Sequence, residues 1–154
     1  MADLLDLYGA TSKSVRAATD QALRRHGLRL GQDHLLAQLW KRDGQTPGEI
    51  AKAVGVSTPA VTKTATVLGK QGLLVRRADE HDNRLVRLWL TDAGRALQRA
   101  VERERDAIEA ALTAGLSGIE RKHLASALSK INRAAAERLV GDTGIEPVTP
   151  TVSR

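Results

Sequence analysis

Residues 46–94 read TPGEIAKAVGVSTPAVTKTATVLGKQGLLVRRADEHDNRLVRLWLTDAG, and the pattern within them decides the fold. Thr46 is a good N-cap, Pro47 suits the first helical position, and Glu49 three residues on completes a capping box. The short helix that follows faces Ile50, Ala51 and Val54 inward. Gly55 permits a left-handed turn without a Cβ clash, and Val56 is expected to pack between the helices on either side. Ser57 caps a second helix that runs to about Gln71 and stops at Gly72. Ala60, Val61, Ala65 and Leu68 mark its buried side, and Thr58, Thr62, Lys63, Thr66 and Lys70 its exposed side. Residues 73–78 and 85–90 then read as strands. In the second, Val86, Leu88 and Leu90 alternate with Arg87 and Trp89, the period of a half-buried strand. The polar residues 79–84 are too many for a two-residue turn, so the hairpin tip should project.

Working outward, residues 2–26 carry Leu4, Leu7, Thr11, Val15, Ala18, Ala22 and Leu23 at helical spacing. This is one apolar stripe on a long helix, stopped near Gly27 after Arg24, Arg25 and His26, cations that favour a helix C-terminus. Residues 31–43 give a shorter helix with Leu35, Leu36, Leu39 and Trp40 on one side, closed by Gly44. Beyond the hairpin, Thr91 caps a helix expected to reach Gly115, with Leu97, Val101, Ile108 and Leu112 along it. Ser117 and Glu120 form a second capping box, opening a last helix marked by Ile119, Leu124, Leu128, Ile131, Ala135 and Leu139. From Gly141 the composition changes to GDTGIEPVTPTVSR, which lacks periodicity and reads as a flexible tail.

Composition bounds the class. At 154 residues the chain suits one domain, and its apolar content of 42% comes with only 2% aromatics, which favours helix over sheet. The expected fold class is mainly α with a small two-stranded wing (α+β). No apolar run approaches the roughly 20 residues of a membrane helix, and the N-terminus lacks a signal-peptide pattern. The absence of cysteine excludes disulfides, thiolate metal sites and cysteine redox sensing. A cytoplasmic protein with no cofactor, no metal site and no membrane partner is expected. The formal charge of +6 is weak evidence alone. Its placement says more: between Ser57 and Arg77 the charged residues are Lys63, Lys70, Arg76 and Arg77, with no acidic residue among them. No nucleophile–base spacing, phosphate-cradling glycine loop or cleft-like carboxylate pair is present, so an enzyme is not expected.

A helix-turn-helix followed by a two-stranded wing can place one helix in the major groove of DNA and a ribbon beside it. Threonines are poor helix formers, but their hydroxyls and methyls can contact base edges. Thr58, Pro59, Thr62 and Lys63, near the start of the second helix, are the candidate DNA-reading residues, with Lys63 able to donate to guanine or to phosphate, and Ser57 adds a phosphate contact to its capping role. Arg76 and Arg77 alternate in direction on a strand, so one is expected to face phosphate and the other to pair locally. Asn83 shapes the tip or bonds to its backbone, and His81 is a solvated loop histidine.

The helix order and one spaced motif carry a family resemblance. Asp82-x-Arg84, five residues, Leu90-Thr91, two residues and Gly94, with the run Gly72-Leu73-Leu74-Val75-Arg76-Arg77 before it, resemble the MarR family of bacterial winged helix-turn-helix regulators. The resemblance covers about residues 4–140 and is motif-specific over 46–94. It implies a homodimer built from a dimerisation helix in residues 1–30, a winged helix-turn-helix DNA-binding lobe in 31–94 and C-terminal dimerisation helices in 92–140, followed by the tail in 141–154. It implies binding to a pseudo-palindromic operator on double-stranded DNA, usually as a repressor of transcription, with Arg84 entering the minor groove and Asp82 pairing with an arginine to stabilise the wing. It also implies release by a small-molecule effector between the dimer region and the DNA lobe, where Tyr8, His26 and Trp40 are the candidate ligand-binding residues and His34 lies on the same segments. The histidines show no ligand-like pattern with a nearby carboxylate or a second histidine, which argues against metal sensing. The alternative function is an effector-independent, architectural DNA-binding protein.

Overall fold

Capping side chains set the element boundaries. The computed structural model describes residues 3–143 as α1 (Leu4–Arg24), α2 (Gln32–Lys41), α3 (Pro47–Val54), α4 (Thr58–Lys70), β1 (Leu74–Ala78), β2 (Val86–Leu90), α5 (Asp92–Ala96), α6 (Gln98–Thr113) and α7 (Gly118–Thr143). The box at α3 is complete: Glu49 N donates to Thr46 Oγ1 at 3.2 Å, and Thr46 N donates to Glu49 Oε2 at 2.8 Å. That backbone N–H, with Arg42 nearby, holds the Glu49 carboxyl below its ordinary pKa. Ser57 Oγ accepts from Ala60 N at 3.3 Å, and Thr91 Oγ1 from Gly94 N at 3.1 Å. Ser117 and Glu120 form the second box. Gly55 takes φ 78°, a left-handed conformation that a Cβ would disfavour, and its N–H closes α3 on Ala51 O at 2.9 Å.

One core joins these elements. Leu36 of α2, Ile50 of α3, Leu68 of α4 and Leu88 of β2 are fully buried, with Leu23 from the end of α1 and Val101 from α6 beside them. Each such side chain contributes about 1.5–3 kcal/mol on leaving water. β1 and β2 pair antiparallel, from Leu74 opposite Leu90 to Ala78 opposite Val86. The residues before α3 add a third edge, since Leu88 N donates to Gln45 O at 2.8 Å and Gly44 N to Leu88 O at 3.1 Å. Gly94 lies so close to the Leu73 carbonyl that any Cβ there would collide with it.

Several expectations change. Val56 does not pack between α3 and α4: it is 47% exposed, and Ile50, Ala51, Val61 and Ala65 fill the crossing instead. Ala60 is exposed, and so is Val86 at the far end of β2, where the hairpin has left the core. The strands begin one residue later than expected, at Leu74 and Val86. The single helix expected after Thr91 breaks at Leu97, which turns its side chain against the core and separates α5 from α6. The final helix continues through Thr143, past the expected end of the helical pattern, and the remaining tail residues 144–154 lie outside the described ones. The apolar residues of the outer helices, among them Leu4, Leu7, Ile119, Leu124, Leu128 and Ile131, are exposed in the single chain. Among the described residues no helix is long and apolar enough to cross a membrane.

Candidate nucleic-acid interface

Because Val61, Ala65 and Leu68 take the core side of α4, its other face presents Thr58, Pro59, Thr62 and Lys63 to solvent, with Ser57 exposed at the cap. Lys63 makes no side-chain hydrogen bond or ion pair among the described residues, so its charge is available to a partner.

The wing tip is built by two aspartates. Asp79 accepts from the backbone N–H groups of His81 and Asp82, each at 3.0 Å, and from Arg87 Nε of β2. The Arg87 guanidinium first, and then these N–H groups, hold the Asp79 carboxyl below its ordinary pKa. Arg87 also donates to Gly44 O at 2.9 Å, which ties the hairpin to the segment before α3. Asp82 accepts from Arg84 Nε at 3.1 Å, from Arg84 Nη2 at 3.3 Å and from Arg84 N at 3.0 Å. The Arg84 side chain is the main cause that lowers the Asp82 pKa. The arginine expected to pair with Asp82 is therefore Arg84 itself. Its side chain is still 91% exposed. Asn83 is exposed, with no side-chain hydrogen bond among the described residues, and His81 is exposed beside it.

The two strand arginines divide as alternation requires. Arg77 is exposed and unpaired among the described residues. Arg76 turns onto α4, where Nη2 donates to Thr66 Oγ1 at 2.6 Å and Thr62 O at 2.9 Å. Its local partner is thus a hydroxyl and a carbonyl, not a carboxylate. Asp79 and the Arg76–Thr66 contact were missed by sequence reasoning. An aspartate opening a turn is a usable signal for the first; the second depends on tertiary packing.

The three candidate ligand residues have different surroundings. Tyr8 is exposed on α1. His26 Nε2 lies 3.1 Å from Glu104 Oε1 of α6, so a carboxylate is beside it after all and occupies its ring. Trp40 donates from Nε1 to Gly94 O at 3.0 Å and lines an outer groove of about 330 Å³ with Asp33, His34, Val101 and Arg105. A different cavity, about 280 Å³, opens between α1, α2, α3 and α4. Arg16 and His34 supply its charged and polar wall, with Thr64 at one side, and Leu30, Leu35, Ile50, Val54, Val56 and Val61 its apolar walls. Val56, displaced from the helix crossing, is explained by this lining. Among the described residues no cluster of His, Asp or Glu could hold a metal ion.

Comparison with known proteins agrees with this layout. The sequence model of the MarR family matches residues 28–86. YdgJ, an uncharacterised HTH-type transcriptional regulator of Bacillus subtilis, is 28% identical over 105 residues, which span 68% of this chain and 64% of that protein, a little under two thirds of its length. Among solved structures, the S. aureus MepR–DNA complex superposes with a TM-score of 0.81 at 27% identity, over 87% of this chain and 99% of MepR. CouR from Rhodococcus jostii, bound to p-coumaroyl-CoA, superposes with a TM-score of 0.71 at 22% identity, over 84% of this chain and 91% of CouR, a likeness of fold. With its helix order, its Asp82-x-Arg84 wing and the match over residues 28–86, the chain is similar to the MarR family of transcriptional regulators across its winged helix-turn-helix lobe.

Proposed function

We propose that this chain is a sequence-specific DNA-binding regulator that acts as a homodimeric repressor and is released by a small organic anion. The observation that carries the reading is the exposed face of α4 beside the wing: Thr58, Thr62 and unpaired Lys63 on the helix, unpaired Arg77 on the strand, and Arg84 at the tip. A helix of this width fits the major groove, where bases are distinguishable, and an arginine on a projecting tip suits the electronegative minor groove of A/T-rich DNA. MepR, with the same fold, is seen in complex with DNA.

Two further features support the finer reading. The apolar stripes exposed on α1 and α7 are the surface a second copy would cover. The cavity at Arg16 and His34 has apolar walls and a guanidinium, the chemistry that suits an organic anion with an apolar body. It touches both α1 and the reading helix α4, so a ligand wedged there changes the angle between them. CouR is a fold relative that holds an acyl-CoA.

The test is a gel-shift titration on the intergenic duplex upstream of the chain's own gene, with salicylate as the probe anion. Wild type should retard the duplex, Arg84→Ala should weaken retention by about 1–3 kcal/mol without lowering thermal stability, and Arg16→Ala should blunt release by salicylate. Unchanged affinity of Arg84→Ala would sink the wing reading. Retention insensitive to every anion tried, with no sequence preference and a steep salt dependence, would instead mark an architectural DNA-binding protein.

A further inference from the structure

Arg76 differs from the other basic residues of the exposed face because its place on β1 aims it at α4. Nη2 reaches Thr66 Oγ1 at 2.6 Å and Thr62 O at 2.9 Å. Thr66 Oγ1 in turn donates to the same Thr62 carbonyl at 2.9 Å. Guanidinium, hydroxyl and carbonyl close a small triangle on the solvent side of the junction between helix and wing. On the buried side of that junction, Leu68 and Leu74 pack apolar surface. Apolar packing is non-directional, so it fixes how close β1 lies to α4 but restrains its swing weakly. A charged donor with two acceptors has direction as well as strength. The triangle also commits the proton of the Thr66 hydroxyl, which the exposed-face pattern alone would offer to a base.

We infer that Arg76 is a positioning residue that locks the angle between the reading helix and the wing, so that one rigid body meets both grooves at once. The inference rests on the DNA-binding reading above. A site shared by two elements must be held within about 0.5 Å and 10–20° to engage both contacts together. Arg77 and Lys63, unpaired among the described residues, are left for the duplex. Thr66 then matters through its hydroxyl and through Arg76.

The test measures duplex affinity at several salt concentrations for wild type, Arg76→Ala, Thr66→Val, the double variant and Thr66→Ser, with Arg84→Ala as the reference for a lost groove contact. Arg76→Ala and Thr66→Val should each weaken binding roughly tenfold, as expected for a charge-assisted hydrogen bond. The double variant should be no weaker than Arg76→Ala alone, Thr66→Ser should bind like wild type, and the salt dependence should keep its wild-type slope. A slope reduced by about one in Arg76→Ala would make Arg76 a phosphate contact and overturn the inference. So would additive losses in the double variant, which would mean the two side chains act separately. A wild-type chain that retains no duplex would overturn the DNA-binding reading itself, and this inference with it.

Discussion

Asp33 is the most consequential ionisable residue outside the exposed face. Its side chain is completely buried at the start of α2, where Oδ1 accepts from Gly31 N at 3.0 Å and Oδ2 from Arg105 Nη1 of α6 at 3.0 Å. Arg105 is about half exposed, so it can be rehydrated if the pair breaks, whereas the carboxylate cannot. Arg105→Ala should therefore cost roughly 3 kcal/mol by leaving a buried charge with one donor. Asp33→Asn, which keeps an acceptor for Gly31 and lets Arg105 return to water, should cost less. Urea unfolding of the two variants checks the order, and equal costs would contradict it. The aspartates of the wing work differently: they are only partly buried, and their value lies in geometry. One shapes the turn, and the other steadies the near side of the Arg84 guanidinium while leaving its charge outermost.

At the scale of the element, the wing tip should be sensitive to acid. Asp79 and Asp82 both titrate below their ordinary values because their ionised forms accept hydrogen bonds from Arg87, Arg84 and tip N–H groups. A depressed carboxyl pKa stabilises the folded arrangement fully above the unfolded value, near pH 4, and the contribution falls away as pH drops through the lowered folded value. The tip is thus expected to be fully ordered at neutral pH and to loosen below about pH 4. Amide exchange at His81 and Arg84 should accelerate there before exchange in the core strand at Leu88 does, and simultaneous loss would refute the tip assignment. Most of this element was legible in the sequence. The Thr46, Ser57, Thr91 and Ser117 caps follow from local chemistry, and the Asp82-x-Arg84 spacing marked the tip. The positions that escaped are those where tertiary packing decides. Val56 reads as a core residue by type but lines a cavity, Leu97 breaks a helix because the core claims its side chain, and Gln45 joins the hairpin edge with no strand pattern of its own.

Over the whole molecule, the lobe and the terminal helices obey opposite logics. The lobe buries its stripes within the chain, whereas α7 leaves Ile119, Leu124, Leu128 and Ile131 in water. A helical period told where an apolar stripe lay, but not whether the same chain or another would cover it. The candidate ligand residues show the same dependence on tertiary context: His26 Nε2 faces Glu104, Trp40 Nε1 donates to the Gly94 carbonyl, and the cavity between α1 and α4 is lined by Arg16 and His34 instead. If a second copy covers α1 and α7, Leu128→Asp with Ile131→Asp should convert a dimer to a folded monomer with weaker duplex binding. Light scattering would check this, and a wild-type monomer would contradict it.

The proposed function requires α4 and the wing to select a defined sequence. Selecting bound duplexes from a random pool at physiological salt tests it most directly. One inverted repeat with half-sites about one helical turn apart should be enriched, and the enrichment should be lost in Lys63→Ala or Arg84→Ala. Recovery of sequences with no common motif would contradict it.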